Sequence, residues 1–270
     1  MKILITGGGG YIGSYIINNL PKKYDIICLD HGKKYSQFNK SVKKNVTFIK
    51  GDITDSKLLE KIMSKGIDTI IHCAGTVGNS LCMEDPMNAI SSHIHGTQLL
   101  IEKSIKFKVK RFIYMSTLAV YSTFAKRKTP FTENIELKPD DFYGTLKMIA
   151  EKYIQKNQPN YVILRLANVY GKARKTQNKT KLGAVENFVY AILEKTNITI
   201  YGTGKQKIEL VHIKDVYNCV LTILKNSKIK SDVFNVGSSK LVSIEELATI
   251  ISKSGKKFYG YEPKIKKISN

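Results

Sequence analysis

A tyrosine and a lysine stand four residues apart in the segment YGTLK, which runs from Tyr143 to Lys147. On a helix such residues share a face, so the phenol and the ammonium can meet. A tyrosine with a pKa near 10 is a poor base at neutral pH, and a nearby ammonium lowers that pKa. Tyr143 and Lys147 are therefore candidates for moving a proton to or from an alcohol or ketone. The alternative is a chance surface pair, because the chain has 15 tyrosines and many lysines.

Two hydroxyl side chains, Ser116 and Thr117, follow an apolar, strand-like segment. Ligands of open parallel sheets bind at the carboxyl ends of the strands. Thr117 lies 26 residues before Tyr143, and its hydroxyl can hydrogen-bond the same substrate oxygen. The alternative for both hydroxyls is ordinary capping of a strand end.

The segment TGGGGYIG, residues 6–13, joins an apolar strand-like run to a helix-like run. A glycine turn in this context brings a pyrophosphate against backbone N–H groups at the N-terminus of the helix. Gly7, Gly10 and Gly13 have the spacing of that pattern, and the other two glycines occupy its variable positions. A tight strand-to-helix turn also favours glycine, so the segment alone is weak support for a cofactor.

Acidic residues follow the next two strands at places where a nucleotide needs hydrogen-bond acceptors. Asp30 ends the second predicted strand, 17 residues after Gly13, where its carboxylate can accept hydrogen bonds from an adenosine ribose. Asp52 and Ile53 follow the third strand, in position to flank an adenine. As an alternative, Asp30 is a helix cap or a turn residue.

Short apolar strands alternate with amphipathic helices as far as Gly171. The predicted strands are Lys2–Thr6, Asp25–Asp30, Val46–Lys50, Thr69–Cys73, Arg111–Ser116 and Val162–Leu166, and the helices between them include Ile12–Leu20, Ser56–Met63 and Met87–Lys106. This alternation predicts a doubly wound parallel sheet with helices on both faces. Beyond Gly171 we expect a basic loop (172–181), helices over 184–194 and after the capping residues Ser243 and Glu246, strands over 198–201 and 233–236, and a strand and helix through 210–224.

The composition disfavours several classes of protein. No uncharged apolar run approaches the roughly 18 to 20 residues that span a bilayer, and no signal peptide precedes the first strand, so we expect a cytoplasmic protein without a membrane partner. The four cysteines are scattered, which disfavours both disulfides and a metal site. The net charge of +22 comes mainly from dispersed lysines, so nucleic acid is not an expected partner.

Several modest motifs occur in one order through most of the chain. After TGxxGxxG and Asp30 come GDI at 51–53, HCAG at 72–75, STxxVY from 116, YxxxK from 143, LRxxNVYG from 164, YGxGxQ from 201, VHIxDV from 211 and FNVG from 234. The ordered set resembles the NAD-dependent epimerase/dehydratase family of nucleotide-sugar enzymes, within the extended short-chain dehydrogenase/reductase superfamily. The resemblance implies an α/β Rossmann domain over 1–171 and a smaller, trimmed α/β substrate lobe over 172–270. It also implies that part of 205–236 returns to the Rossmann sheet.

The resemblance also implies roles for individual residues. In the catalytic group, Tyr143 moves the proton of a sugar hydroxyl, Thr117 shares that hydrogen bond, and Lys147 also binds the nicotinamide ribose. The implied cofactor-binding residues are Gly7, Gly10, Tyr11, Ile12, Gly13, Asp30, Asp52, Ile53, Cys73, Ala74, Gly75, Tyr143 and Lys147. The implied substrate-binding residues are Thr117, Asn168 and Lys207, and no metal is implied.

Three places depart from the family's pattern. Lys207 stands where many relatives have an arginine that grips the nucleotide diphosphate, and a lysine offers a point charge in place of a bidentate fork. His93 stands where relatives commonly have an asparagine. Leu118 and Ala119 replace the Asp-Glu pair that supplies acid and base in the family's 4,6-dehydratases, which disfavours dehydratase chemistry.

The residues and the resemblance together favour an enzyme that epimerises a hexose of a nucleotide-diphosphate sugar or reduces its 4-keto form. Asp30 favours NAD because its charge repels a 2′-phosphate, whereas His31, Lys33 and Lys34 leave NADP open. The helices over 87–106 and 140–156 match those that pair subunits in relatives, so we expect a homodimer. The alternatives are a non-catalytic dinucleotide-binding sensor or RNA-associated protein, and a reductase of a non-sugar carbonyl.

Overall fold

The structure, a computed structural model, describes residues 1–31, 45–121, 131–171 and 183–268. The chain divides into two compact units. The first contains Met1–Leu166 and Val216–Val236, and the second contains Ala167–Asp215 and Gly237–Asn270. The basic loop expected over 172–181 lies outside the described residues.

A seven-stranded sheet forms the centre of the first unit. Its strands are β1 (Lys2–Thr6), β2 (Asp25–Asp30), β3 (Val46–Lys50), β4 (Thr69–His72), β5 (Arg111–Thr117), β6 (Tyr161–Leu166) and β10 (Asp232–Val236). They lie in the order β10-β6-β5-β4-β1-β2-β3, and every neighbouring pair is parallel. The expected doubly wound, Rossmann-like α/β fold is confirmed. The strand order reverses between β1 and β4, the kind of switch point where such sheets bind ligands.

Helices and apolar side chains cover the strands of this sheet. The helices are α1 (Tyr11–Asn19), α2 (Ser56–Met63), α3 (Asn79–Glu84), α4 (Pro86–Ile90), α5 (Gly96–Lys106) and α6 (Phe142–Asn157), and α8 (Ile213–Lys225) begins in the second unit. The central strands read as continuous apolar runs because both of their faces are buried, as at Ile70, Ile71, Phe112 and Ile113. Within the described ranges, no helix has the length and apolarity needed to cross a membrane.

The helix expected over Met87–Lys106 is interrupted. Pro86 begins α4, and the Asp85 carboxylate accepts a hydrogen bond from the Asn88 N–H at 3.1 Å. A π-helical turn, Ser91–His95, then separates α4 from α5. Such wide turns are rare and occur often at functional sites. This one carries the buried side chain of His93.

The second unit is built from two small sheets and two helices. A three-stranded sheet contains β7 (Asn168–Tyr170), β9 (Lys207–His212) and β11 (Leu241–Ser243), and β8 (Ile198–Tyr201) pairs with β12 (Ile265–Ile268). Helices α7 (Ala184–Leu193) and α9 (Ile244–Tyr259) pack apolar residues against these strands. The predicted capping box at the start of α9 is confirmed, since the Glu246 N–H donates to the Ser243 hydroxyl at 3.1 Å and the Glu246 carboxylate accepts from the Ser243 N–H at 2.8 Å.

Candidate active site

The glycine turn lies between β1 and α1, beside the switch point of the sheet. Gly10 is the N-cap of α1, and no side chain among the described residues caps this helix. The first turn of α1 also contains no acidic residue. The N–H groups at the start of the helix and the positive end of its dipole therefore suit an anionic group.

Close packing joins this turn to the ends of β2 and β4. A Cβ atom at Gly7 would lie 2.6 Å from the Ala74 backbone nitrogen, so the glycine turn and the segment after β4 are in contact. The Asp30 carboxylate accepts a hydrogen bond from the Gly9 N–H at 2.8 Å. The glycine turn and the segments at the ends of β2 and β4, which are distant in sequence, thus meet at the carboxyl ends of these strands.

The two variable glycines of the turn are also tightly enclosed. A Cβ atom at Gly8 would overlap the Cys28 sulfur and lie 2.8 Å from the Ile17 Cδ1 atom. A Cβ atom at Gly9 would lie 3.0 Å from the Asp30 carboxyl carbon. Gly8 therefore has a packing role that the spacing of the motif does not show.

Asp52, Ile53 and Cys73, which are also expected to bind a cofactor, contact other parts of the fold. The Asp52 carboxylate accepts hydrogen bonds from the N–H and hydroxyl of Thr54, each at 2.8 Å, and contacts a ring nitrogen of His31 at 3.1 Å. Partial burial acts to raise the pKa of Asp52, but these hydrogen bonds outweigh it, and the pKa is lowered. The Ile53 side chain is buried against Gly96 of α5. Burial raises the pKa of the Cys73 thiol to about 12. Lys33 and Lys34 lie outside the described residues.

Helix α6 carries Tyr143 and Lys147 in its first two turns. Asp141 caps this helix, and its carboxylate accepts a hydrogen bond from the Gly144 N–H at 2.6 Å. The Lys147 side chain is only 5% exposed, and its ammonium donates to the Met115 carbonyl of β5 at 2.8 Å. The same nitrogen lies 4.5 Å from the centre of the Tyr114 ring.

The start of α6 lies against the turn that follows β5. A Cβ atom at Gly144 would overlap the Ala119 carbonyl oxygen and lie 2.9 Å from Pro139. Thr117 is the last residue of β5, and its hydroxyl accepts a hydrogen bond from the Ala119 N–H at 3.2 Å. Thr117 therefore caps the 3-10 turn Leu118–Val120, and the glycine after Tyr143 lets the two segments approach.

The pKa of Tyr143 differs in direction from the expectation. Burial raises it above its usual value, and the neighbouring Cys82 and Asp141 raise it further. The expectation that Lys147 lowers this pKa is wrong for the structure as it stands, because the ammonium does not offset the loss of solvent around the phenol. Burial also lowers the pKa of Lys147 to about 8, although Cys73, Glu151 and Cys82 act in the opposite direction.

A buried ionic network lies one turn further along α6. The Glu151 carboxylate is fully buried and accepts hydrogen bonds from the Arg165 guanidinium, the closest at 2.8 Å, and from the Ser116 hydroxyl. Arg165 also donates to the Tyr121 hydroxyl at 2.6 Å, and that hydroxyl donates to the Asn235 side chain at 2.9 Å. The network ties α6 to β5, β6 and β10, and it occupies the Ser116 hydroxyl.

Two of the expected substrate-binding residues belong to the second unit. Asn168 is exposed on β7, and its side-chain N–H donates to the Glu209 carbonyl at 3.1 Å. Lys207 is exposed at the start of β9, where it pairs with Ser243 of β11. Both side chains are accessible to a ligand.

The sequence alone assigned no role in this site to Glu151, Arg165, Gly144 or His93. Glu151 and Arg165 form the buried network, and the only signal for Glu151 was its position four residues after Lys147. Gly144 is required by close packing, and its place directly after Tyr143 was a weak hint. His93 was identified only as a departure from the family's pattern, whereas its ring lies 5.8 Å from the Tyr143 ring, centre to centre.

Known proteins share this sequence and fold. A putative UDP-glucose 4-epimerase of Methanocaldococcus jannaschii is 31% identical over 255 residues, covering 92% of this chain and 81% of the relative. A dTDP-D-glucose 4,6-dehydratase of Bos taurus is 29% identical over 259 residues, covering 92% of this chain and 71% of the relative. The crystal structure of UDP-glucuronic acid 4-epimerase from Bacillus cereus, in complex with UDP-glucuronic acid and NAD, is 26% identical with a TM-score of 0.86 and covers 100% of this chain and 87% of that one.

The relatives of this chain therefore include proteins named as epimerases and proteins named as dehydratases. The profile of the NAD dependent epimerase/dehydratase family matches residues 3–237, which include both the glycine turn and the tyrosine–lysine pair. The parallel sheet and its switch point agree with that match. The chain belongs to the NAD-dependent epimerase/dehydratase family.

Proposed function

We propose that this protein is an NAD-dependent epimerase of a nucleotide-diphosphate sugar and inverts a carbinol carbon of the hexose. The observation that carries the proposal is the pair on α6: Tyr143 stands one turn before the buried Lys147, beside the turn that follows Thr117. The UDP-sugar epimerase names among the relatives support the same substrate class.

The glycine turn and its neighbours fit a dinucleotide. The uncapped start of α1 suits a pyrophosphate, and Asp30 stands at the end of β2 for the adenosine ribose. We assign Gly7, Gly10, Tyr11, Ile12 and Gly13 to the pyrophosphate. The remaining residues of the cofactor site are Asp52, Ile53, Cys73, Ala74, Gly75, Tyr143 and Lys147. The Asp30 charge favours NAD over NADP, because a carboxylate repels a 2′-phosphate.

Proton transfer falls to Tyr143 in this proposal. NAD, held by the residues of the cofactor site, would supply the acceptor for the hydride of the sugar carbon and the donor that returns it to the ketone. Tyr143 accepts the proton of the sugar hydroxyl as the ketone forms and gives it back when the alcohol is restored. The first of these steps requires the pKa of Tyr143, which burial raises in the free protein, to fall once substrate and cofactor are bound. The Thr117 hydroxyl holds the same oxygen. Lys147 supplies a positive charge near the site, and Asn168 and Lys207 bind the diphosphate of the substrate.

A reductase of a 4-keto sugar is the second candidate. The raised pKa of Tyr143 favours the protonated phenol, and a protonated phenol is the form that donates to a ketone. Dehydratase chemistry remains disfavoured, although dehydratases are among the relatives. The turn Leu118–Val120 after Thr117 offers no carboxylate that could serve as acid or base for the loss of water.

Incubation of the purified chain with UDP-glucose, UDP-N-acetylglucosamine, UDP-glucuronic acid or dTDP-glucose tests the proposal. We expect one of these sugars to reach a mixture of 4-epimers with added NAD and no net reduction. Consumption of NADH or NADPH on a 4-keto sugar would identify the reductase instead. Tyr143→Phe should lower turnover by about 100- to 10,000-fold and leave a measurable residual rate, and Tyr153→Phe on the same helix is the matched control. Full turnover by Tyr143→Phe would overturn the assigned chemistry.

We also propose that the protein forms a homodimer through the first unit. Large apolar side chains are exposed on four of its helices: Met83 on α3, Met87 and Ile90 on α4, Ile105 on α5 and Ile149 on α6. Soluble proteins commonly cover apolar surface of this kind in an interface. Light scattering should give twice the mass of the chain, and Met87→Glu should lower that mass. A monomeric wild-type protein at micromolar concentration would contradict this proposal.

A further inference from the structure

His93 links two parts of the candidate site. Its side chain is 1% exposed and projects from the π-helical turn between α4 and α5. The imidazole has three neighbours: the carbonyl of Thr76, the backbone of Gly75 and the ring of Tyr143. Gly75 and Thr76 follow β4 in the segment that packs against the glycine turn.

The hydrogen bonds of the ring determine its tautomer. A carbonyl oxygen only accepts, so Nε2 carries the proton and donates to Thr76 at 2.8 Å. The other nitrogen, Nδ1, is buried and has no hydrogen-bond partner among the described residues. Burial and the charge of Lys147 lower the pKa of His93 to about 3. The ring is therefore neutral near pH 7 and contributes no charge to the site.

Tyr143 and Gly75 contact this neutral ring on different sides. The ring of Tyr143 meets it in an edge contact, with the ring planes at 69° and the centres 5.8 Å apart. A Cβ atom at Gly75 would lie 2.8 Å from Nδ1, and Gly75 also has a φ of +132° that other residues rarely adopt. Tyr143 also packs on the small cluster of Cys82, Ala89 and Leu146, so its ring is confined on several sides.

We propose that His93 is a positioning residue, whose ring sets the orientation of the Tyr143 phenol relative to the segment Gly75–Thr76. This inference rests on the proposed function, in which Tyr143 is the acid and base and Gly75 lines the cofactor site. An asparagine at this position would keep an N–H donor, but it would have no ring to confine the tyrosine. The histidine therefore combines two contacts: a hydrogen bond to the Thr76 carbonyl, which we call the tether, and a ring contact that confines Tyr143, which we call the wall.

Two substitutions separate the tether from the wall. His93→Gln keeps an N–H donor of similar reach and removes the ring, whereas His93→Phe keeps a ring and removes the donor. Small displacements of an acid/base group reduce turnover strongly, so we expect His93→Gln to lower kcat roughly tenfold and to change KM less than about threefold. His93→Phe should keep kcat within about threefold of the wild type. Its main effect should be lower thermal stability, because the Thr76 carbonyl loses its partner.

A double-mutant cycle shows whether His93 acts through Tyr143. In a Tyr143→Phe background there is no hydroxyl to misplace, so His93→Gln should change the residual rate of hydride transfer less than about twofold. A tenfold loss in both backgrounds would show a general structural role and overturn the proposal. His95→Gln is the matched control, because His95 is the exposed histidine of the same turn.

The effect of His93 on the Tyr143 ring can also be measured by NMR without any turnover. This measurement is independent of whether the proposed function is correct. The protein is labelled with tyrosine carrying carbon-13 at Cζ, and the Tyr143 signal is identified by its absence from Tyr143→Phe. We expect His93→Gln to shift or broaden that signal, and His93→Phe and His95→Gln to leave it in place. If His93→Gln does not fold, His93→Asn also removes the ring and gives the same comparison. An unchanged signal would overturn the inference, whereas failure of every nucleotide sugar to react would overturn only the proposed function.

Discussion

The buried ammonium of Lys147 should make the stability of the protein depend on pH in a specific direction. Its pKa falls from 10.5 to about 8 when the chain folds, because burial disfavours the charged form. Below pH 8 the lysine is charged in both the folded and the unfolded protein. The folded protein then carries the full free-energy cost of burying that charge. As the pH rises from 8 to 10.5, the folded protein releases a proton that the unfolded chain retains. The stability contributed by this residue therefore increases with pH.

The size of the effect follows from the two pKa values. Their difference corresponds to about 3 kcal/mol in total, and most of it falls between pH 7 and pH 10. Lys147→Met removes the titrating group and keeps an unbranched side chain of similar length. The free energy of unfolding of the wild type minus that of Lys147→Met should therefore rise by about 2–3 kcal/mol between pH 7 and pH 10.

Urea unfolding of both proteins at several pH values measures this difference. Other groups that titrate in this range are present in both proteins, so their contributions largely cancel in the comparison. Lys152→Met is the control, because Lys152 is exposed on the same helix and its ammonium stays hydrated in both states. A Lys147→Met difference that stays constant with pH, or falls as the pH rises, would refute the reasoning.

Three further substitutions test the packing around the site. Gly8→Ala should lower the free energy of unfolding by about 1–3 kcal/mol in urea titrations, and Cys28→Ala in the same chain should recover part of that loss because it removes the overlapping sulfur. Glu151→Gln should destabilise the protein by about 3–5 kcal/mol, because the buried Arg165 guanidinium loses its carboxylate. Gly144→Ala should lower both stability and kcat, because the new methyl group forces α6 away from the turn after β5.

Each of these substitutions has a control or a contradicting result. Cys28→Ala alone gives the baseline for the Gly8 pair, and equal effects of Gly8→Ala with and without it would refute the proposed overlap. Glu136→Gln removes an exposed ion pair with Lys138 and should change stability by less than about 1 kcal/mol. A similarly small effect of Glu151→Gln would contradict the importance of the buried network. Gly144→Ala with wild-type kcat would show that the contact between α6 and the turn is dispensable.

The periodic parts of the chain were predictable from local patterns. All six strands expected before Gly171 are present, with end points within one residue, because a buried parallel strand is a continuous apolar run bounded by polar turns. The capping box of α9 was equally visible, since both of its hydrogen bonds join residues three positions apart. The short strands β7, β11 and β12 were missed, because three or four residues hold too little periodicity to be recognised.

The sequence by itself determined the family, the parallel sheet and the presence of a tyrosine and a lysine on one face of a helix. These features depend on residue type and on short spacings, which a linear chain displays directly. Only the tertiary structure decided that burial raises the pKa of Tyr143, that Glu151 and Arg165 anchor α6, and that His93 lies between Tyr143 and the segment after β4. These properties depend on how deeply a group is desolvated and on which distant segment faces it. Desolvation and long-range contacts arise when the elements pack, so no local pattern records them.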